Sequence, residues 1–242
     1  MSRTPFVHLD AGLAGAVEGS RLALSAEERH HLTRVLRLSP GAPIEVADGQ
    51  GWWGPAELTT DGVLLTGAVQ HRPPPSPRLV LAQALPKGRK LDEVLRQATE
   101  LGVDELRVVI SSRSVRQLEG ERASRARVRW QAVVSAACEQ ARLARRPQVT
   151  GPLALDRLAR DDELLLVAHP GAPGLPSVVE SLAGVAAVVL AVGPEGGFTD
   201  AEVADAVAGG ALAVGLGDSV LRAEHAGPAG LAVLSAAVGR WG

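Results

Sequence analysis

The sequence predicts an α/β protein in two parts, a small β-rich barrel followed by a larger domain with a mostly parallel sheet. Three observations carry this. The run Arg72-Pro73-Pro74-Pro75-Ser76-Pro77-Arg78 cannot continue a helix or a central strand and reads as an extended connector. Before it, short apolar runs are separated by Asp-Gly turns. After it, valine-rich runs of strand length alternate with helical patterns, the order that builds a parallel sheet covered by helices on both faces. The parts therefore span 1–71 and 79–242, with 72–78 as linker.

In the first part, Phe6-Val7-His8-Leu9, Pro43 to Ala47 and Val63 to Val69 read as strands, with turns at Asp48-Gly49 and Asp61-Gly62. One helix is expected from Ser25 to Leu36, because Ser25 can cap its start while Glu28 reaches back. In the second part, strands are expected at Leu79 to Leu85, Leu106 to Ser111, Leu164 to Ala168, Val185 to Val192 and Ala211 to Leu216. Helices are expected at Lys90 to Leu101, Ala123 to Ala144, Thr199 to Ala208 and Glu224 to Val238. Thr199-Asp200-Ala201-Glu202 repeats the capping box, and Gly209-Gly210 ends the helix it begins.

A chain of 242 residues is long enough to bury a core, and its longest apolar run, Val185 to Val192, falls short of the ~20 residues that cross a bilayer. No membrane span is expected. The start, Met1 to Val7, lacks the charged-then-apolar pattern of a secretory signal, and the single Cys138 cannot form an internal disulfide, so a cytoplasmic protein is expected. The net charge of −2 conceals an excess of Lys and Arg in residues 1–146 and an excess of Asp and Glu beyond them. The basic part holds Arg113, Arg116, Arg122, Arg125, Arg127, Arg129, Arg142, Arg145 and Arg146, enough to meet several phosphates if they share a face. With no Tyr and only Phe6 and Phe198, an aromatic base-stacking sheet of the RRM type is not expected, so any RNA would be held by charge and shape.

Two glycine-bearing turns stand out, Gly193-Pro194-Glu195-Gly196-Gly197 and Leu216-Gly217-Asp218-Ser219-Val220-Leu221-Arg222, each closing an apolar strand. Glycine lets backbone amides and carbonyls approach a ligand closely, and the first turn also aims at a helix N-terminus. Neither turn has the GxxxxGK[ST] or GxGxxG spacing, which removes phosphate-loop and dinucleotide sites. No GxSxG serine elbow occurs, and His30-His31 face different ways on a helix, so neither a hydrolase nucleophile nor a metal site is expected.

In this order, the two turns resemble the SPOUT superfamily of S-adenosylmethionine-dependent RNA methyltransferases. Within it the chain is similar to the small-subunit methyltransferase E family, which makes N3-methyluridine in 16S ribosomal RNA. The likeness runs through His30-His31-Leu32-Thr33-Arg34-Val35-Leu36-Arg37, Gln83-Ala84-Leu85-Pro86-Lys87-Gly88, Ala98-Thr99-Glu100-Leu101-Gly102-Val103, Ser112-Arg113-Ser114-Val115, Arg129-Trp130 and Ala136-Ala137-Cys138-Glu139-Gln140. It implies a C-terminal SPOUT domain with a deep trefoil knot, preceded by a PUA-like RNA-binding domain.

The resemblance further implies S-adenosyl-L-methionine as cofactor, bent among three loops. These begin at His169, run through Gly193, Pro194, Glu195 and Gly196, and run from Leu216 and Gly217 to Arg222, with Ala226 beyond. Leu216, Val220 and Leu221 would supply apolar walls and backbone groups would hold the adenine. Arg3, His31, Arg34, Arg37, Lys87, Arg113, Arg142 and Arg146 would grip RNA, with 16S ribosomal RNA or the 30S subunit as partner and a homodimer as the working form.

The chemistry of that reaction points to residues. N3 of uridine bears a proton on the pairing edge, so the base must be unpaired and deprotonated as the methyl arrives. Charge then grows on the uracil oxygens, where a fixed cation such as Arg222 stabilises it. Glu195, Glu224 and His225 all remain open as proton acceptors. Ala223 and His225 stand where the family usually carries threonines, which removes a hydroxyl from the site. Two other readings remain. A ribose 2′-O-methyltransferase would carry a Ser-Leu-Asn string where this chain has Val220-Leu221-Arg222, and a non-catalytic rRNA assembly factor would keep the fold without the chemistry.

Overall fold

The computed structural model describes residues 4–88, 90–113 and 118–241. Arg3, Ser114, Val115 and Arg116, singled out in the sequence, lie outside the described residues. The chain divides into two compact units. The first is Met1–Pro74 together with Ser135–Arg146, and the second is Pro75–Val134 with Pro147–Gly242. Segment 135–146, continuous in sequence with a helix of the second unit, bears no mark that would assign it to the first.

The first unit is a six-stranded sheet built from β1 (Phe6–His8), β2 (Arg21–Ala23), β3 (Pro43–Ala47), β4 (Trp52–Leu58), β5 (Gly62–Leu65) and β6 (Gln70–His71). Its order is β1-β3-β4-β5-β2, with β6 also on β4, and only β1 and β3 run parallel. Alternation puts Val7, Ile44, Val46, Ala56, Val63 and Leu65 into one core. β4 was not foreseen, because its Gly54-Pro55 reads as a turn. Gly54 suits a tight spot there, since a Cβ would lie 3.3 Å from the Ala68 carbonyl. The expected helix from Ser25 to Leu36 also needs correction. α1 (Ala26–His30), with its full Ser25/Glu28 capping box, widens over His31–Val35 into a π-helical turn in which the Leu36 amide reaches the His31 carbonyl at 2.9 Å. Arg37, at φ 57°, ends it.

The second unit holds six parallel strands, β7 (Arg78–Ala84), β8 (Glu105–Val109), β9 (Gln148–Leu153), β10 (Glu163–Ala168), β11 (Ala187–Val192) and β12 (Leu212–Val214), in the order β12-β10-β11-β7-β8-β9. Helices α2 (Lys90–Glu100), α3 (Gly120–Ala141), α4 (Asp200–Ala208) and α5 (Ala223–Ala237) accompany them. Val80, Ala82, Val189 and Ala191 face Phe198 and Val203 of the α4 side. On the opposite face α5 lies so close that a Cβ on Gly227 would meet Leu81 at 3.0 Å and one on Gly230 would meet Leu190 at 2.4 Å. Both faces of the sheet are therefore covered, as the strand and helix alternation predicts. β9 is the missed strand. Gly151-Pro152 disguises it, although Gly151 (φ +105°) is needed where its Cβ would sit 2.3 Å from the Val108 carbonyl, at a register shift. Among the described residues no helix is long and apolar enough to cross a membrane.

Candidate active site

Because the strands are parallel, the segments following β7, β10, β11 and β12 leave the sheet at one end, where parallel α/β sheets place ligands. The sequence reading anticipated three of these four.

The loop after β11 is a tight turn. The Gly197 amide donates to the Pro194 carbonyl at 2.8 Å, with Gly197 at φ +67°. Gly193 permits the fold-back, since its Cβ would stand 2.7 Å from the Phe198 amide nitrogen. Phe198 is buried and anchors the turn, while Thr199 and Glu202 start α4 with a reciprocal cap. Glu202 also accepts from the Ser112 amide at 2.9 Å. Burial would raise its carboxyl, but the bonds from the Ser112 and Thr199 amides outweigh this and lower it.

The loops after β10 and β12 are laced together. The His169 amide donates to Val214, the Gly215 amide to Pro173 at 2.7 Å, and the Leu175 amide to Gly215 at 2.9 Å. Gly215, which the sequence reading passed over, has no room for a side chain, since a Cβ would meet the Ala172 carbonyl at 2.5 Å. The His169 ring is partly exposed, with Nε2 3.9 Å from Asp200 Oδ1. Leu216 and Leu221 are half-buried, Gly217 stands at φ +118°, and Val220 is 88% exposed. A large apolar side chain held in water beside turning backbone is a surface that a flat, partly apolar ligand would cover. The residues present thus fit an adenosyl group.

Beside these loops, a cation absent from the expected set joins two expected carboxylates. Lys90 Nζ lies 3.0 Å from Glu224 Oε1 and 3.1 Å from Oε2, and 3.9 Å from Glu195 Oε1. The Lys87 amide donates to Glu195 Oε1 at 2.9 Å, so the segment after β7 is bound to the turn after β11 through backbone rather than through the Lys87 ammonium. Glu224 is buried to 9% exposure at the second position of α5. Its own amide, then Lys90, holds its carboxyl below the usual range. Only the helix pattern marked Lys90, and that pattern reads as surface. Arg222 is the N-cap of α5, exposed, and among the described residues nothing pairs with its guanidinium. His225 is exposed and Ala226 buried.

The expected RNA-gripping residues fall into two groups. Arg34 and Arg37 are exposed, and Arg146 is half-buried beside Gly49. Arg142 instead is engaged, donating to the Thr4 carbonyl at 2.7 Å and to Glu45, with its guanidinium 5.2 Å from the Phe6 ring centre. His31 stands 3.6 Å from Glu139, and Arg113 donates to the Gly196 carbonyl of the glycine turn.

The RNA methyltransferase domain family matches residues 73–235, and the RNA methyltransferase PUA domain family matches residues 24–62. A ribosomal RNA small subunit methyltransferase E of Synechocystis sp. is 33% identical over 225 residues, 89% of this chain and 73% of that protein. Its counterpart in Mycobacterium bovis is 31% identical over 247 residues, 96% of this chain and 90% of that protein. Among solved structures, ribosomal RNA small subunit methyltransferase E from Neisseria gonorrhoeae, bound to S-adenosyl methionine, superposes with a TM-score of 0.84 at 29% identity, covering 97% of this chain and 98% of that one. A Legionella pneumophila methyltransferase with bound cofactor SAM gives 0.85 at 28% identity, covering 98% of each chain.

Proposed function

The chain belongs to the ribosomal RNA small subunit methyltransferase E family, and from that membership we propose that it methylates N3 of a uridine in 16S ribosomal RNA. S-adenosylmethionine is its methyl donor. The observation that carries the reading is the convergence of the glycine turn 193–197, the laced loops after β10 and β12, and the start of α5 at one end of the parallel sheet.

The bound cofactor supplies an electrophilic methyl group. The chain's residues do the rest. Backbone groups of 215–221 and the apolar Leu216, Val220 and Leu221 hold the adenosyl end, and the turn at Gly193 to Gly196 closes one side. Arg222, fixed by the start of α5, neutralises charge that grows on the uracil oxygens when N3 loses its proton, which lowers the barrier more than it stabilises the ground state. The N-terminal PUA domain, through Arg34 and Arg37, adds phosphate contacts that orient the RNA without reading its sequence. The trefoil knot, a homodimer, a cytoplasmic setting and the 30S particle as substrate belong to the same proposal.

The test is methyl transfer from labelled cofactor to naked 16S ribosomal RNA and to 30S particles from cells lacking the mark, followed by nucleoside digestion and mass spectrometry. N3-methyluridine is the expected product. A 2′-O-methylated nucleoside, or no labelled nucleoside at all, overturns the assignment.

A further inference from the structure

We propose that Lys90 is a positioning residue of this site, one that locks Glu224 as an ionised structural partner and leaves Glu195 as the carboxylate that takes the proton from the target base. The inference rests on the methyl-transfer reading above.

Three observations lead to it. First, Lys90 is the first residue of α2, where its positive charge opposes the helix dipole, and the two-carboxylate arrangement offsets that local penalty. Second, pairing a half-exposed ammonium with a buried carboxylate adds little to stability, because desolvation offsets the attraction, so stability does not account for the pair. Third, Lys90 divides the two acids. Both Glu224 oxygens are within 3.1 Å of Nζ, whereas Glu195 Oε1 accepts from the Lys87 amide and lies 3.9 Å from Nζ, and among the described residues nothing bonds Oε2. A carboxylate saturated by a cation and held low in pKa is a poor proton acceptor, and one with a free oxygen is a better one.

The surrounding charges leave this division in place. In the first turn of α2, Asp92 is taken by Arg129 and Glu93 by Arg96. Arg113 is spent on the Gly196 carbonyl, and Arg222 and His225 flank Glu224 on the exposed side of α5. In the step itself the N3–H bond breaks and its proton passes to Glu195 Oε2. As the bond from N3 to the methyl carbon forms, the bond from that methyl to the donor's sulfonium sulfur breaks, so a neutral thioether and a neutral N3-methylated uracil ring leave.

The experiment compares wild type with Lys90→Met, Lys90→Arg, Glu195→Gln and Glu224→Gln. Two readouts are used, the pH profile of methyl transfer to 30S particles and the carbon-13 NMR titration of labelled glutamates in the unliganded protein. Lys90→Met moves the acidic limb of kcat/KM to higher pH by on the order of one unit, lowers kcat more than it raises KM, and shifts the Glu224 titration upward by a similar amount; Lys90→Arg restores all three. Glu195→Gln loses roughly 100-fold or more in kcat, and Glu224→Gln loses less. An unmoved acidic limb in Lys90→Met, or full activity in Glu195→Gln, overturns the proposal. If wild type transfers no methyl, the reading beneath it fails, while the Glu224 titration still reports whether Lys90 governs that carboxylate.

Discussion

Arg107 and Glu163 form an ion pair almost closed to water, Nη1 to Oε2 2.6 Å with side chains 2% and 0% exposed, at the end of the parallel sheet opposite the glycine loops. Glu105 also binds Arg107, and Arg78 and Arg160 reach both carboxylates, so the cluster joins the entrances of β7, β8 and β10. Removing one member of a buried pair strands its partner. Arg107→Met is expected to cost about 3–5 kcal/mol in chemical denaturation, and a cost below about 1 kcal/mol would show that Arg78 and Arg160 carry the cluster alone.

Acid should weaken the same cluster. Burial would raise the Glu163 carboxyl, but hydrogen bonds from Arg107 and the Arg160 amide, with the charges of both arginines, hold it at about 2. A carboxylate depressed on folding contributes stability above its unfolded value, near 4.5, and loses it as pH falls toward 2. The melting temperature is expected to fall between those values, and more shallowly in Arg107→Met.

In the first unit, His8 gives the corresponding histidine case. Its Nε2 lies 2.8 Å from the Leu143 carbonyl, and burial, only partly opposed by that bond, pushes its pKa down to about 4. The unfolded chain binds a proton near 6.5 and the folded chain resists it, so stability present above 6.5 is lost as pH falls toward 4. Protection from hydrogen exchange at residues 135–146 should fall as pH drops across that window. Equal protection at pH 7 and pH 4.5 would remove His8 as the cause.

Gly193→Ala puts a methyl 2.7 Å from the Phe198 amide nitrogen, and that backbone cannot yield as a flexible side chain can. Calorimetry should find affinity for S-adenosylmethionine reduced by at least about 1.4 kcal/mol, a factor of ten, with the far-UV spectrum unchanged. Unchanged affinity would take the turn out of the site.

Arg34 and Arg37 are exposed cations on one short segment of the PUA domain. Replacing both with Ala should weaken binding to 16S ribosomal RNA alike for cognate and altered sequences, and flatten the salt dependence by about one to two in log–log slope. An unaltered slope would put the phosphate contacts elsewhere.

Much was legible from pattern alone, because period-two and helical spacing report burial directly. The valine-rich runs at 79–85 and 185–192, and both capping boxes, stand where expected. Two of the four missed strands share one cause, while β2 and β6 are too short to show a period. Gly54-Pro55 and Gly151-Pro152 read as turns because their local propensity is for turns, yet both lie inside strands, Gly151 where the Val108 carbonyl leaves no space for a Cβ and Gly54 where the Ala68 carbonyl leaves little. The widening of the first helix at His31 carries no local signal either.

By itself, then, the sequence determined the class of fold and the two glycine turns, since each follows from short-range spacing and from what glycine permits, while the kind of cofactor came from the family resemblance that those turns carry. Only the tertiary structure decided that Arg142 is occupied by Glu45, Thr4 and Phe6, that Gly215 is pinned against Ala172, and that Lys90 joins Glu224 and Glu195. Those relations link residues more than forty to more than one hundred positions apart, and a charge's partner depends on which strand ends the sheet order brings side by side, which no local pattern encodes.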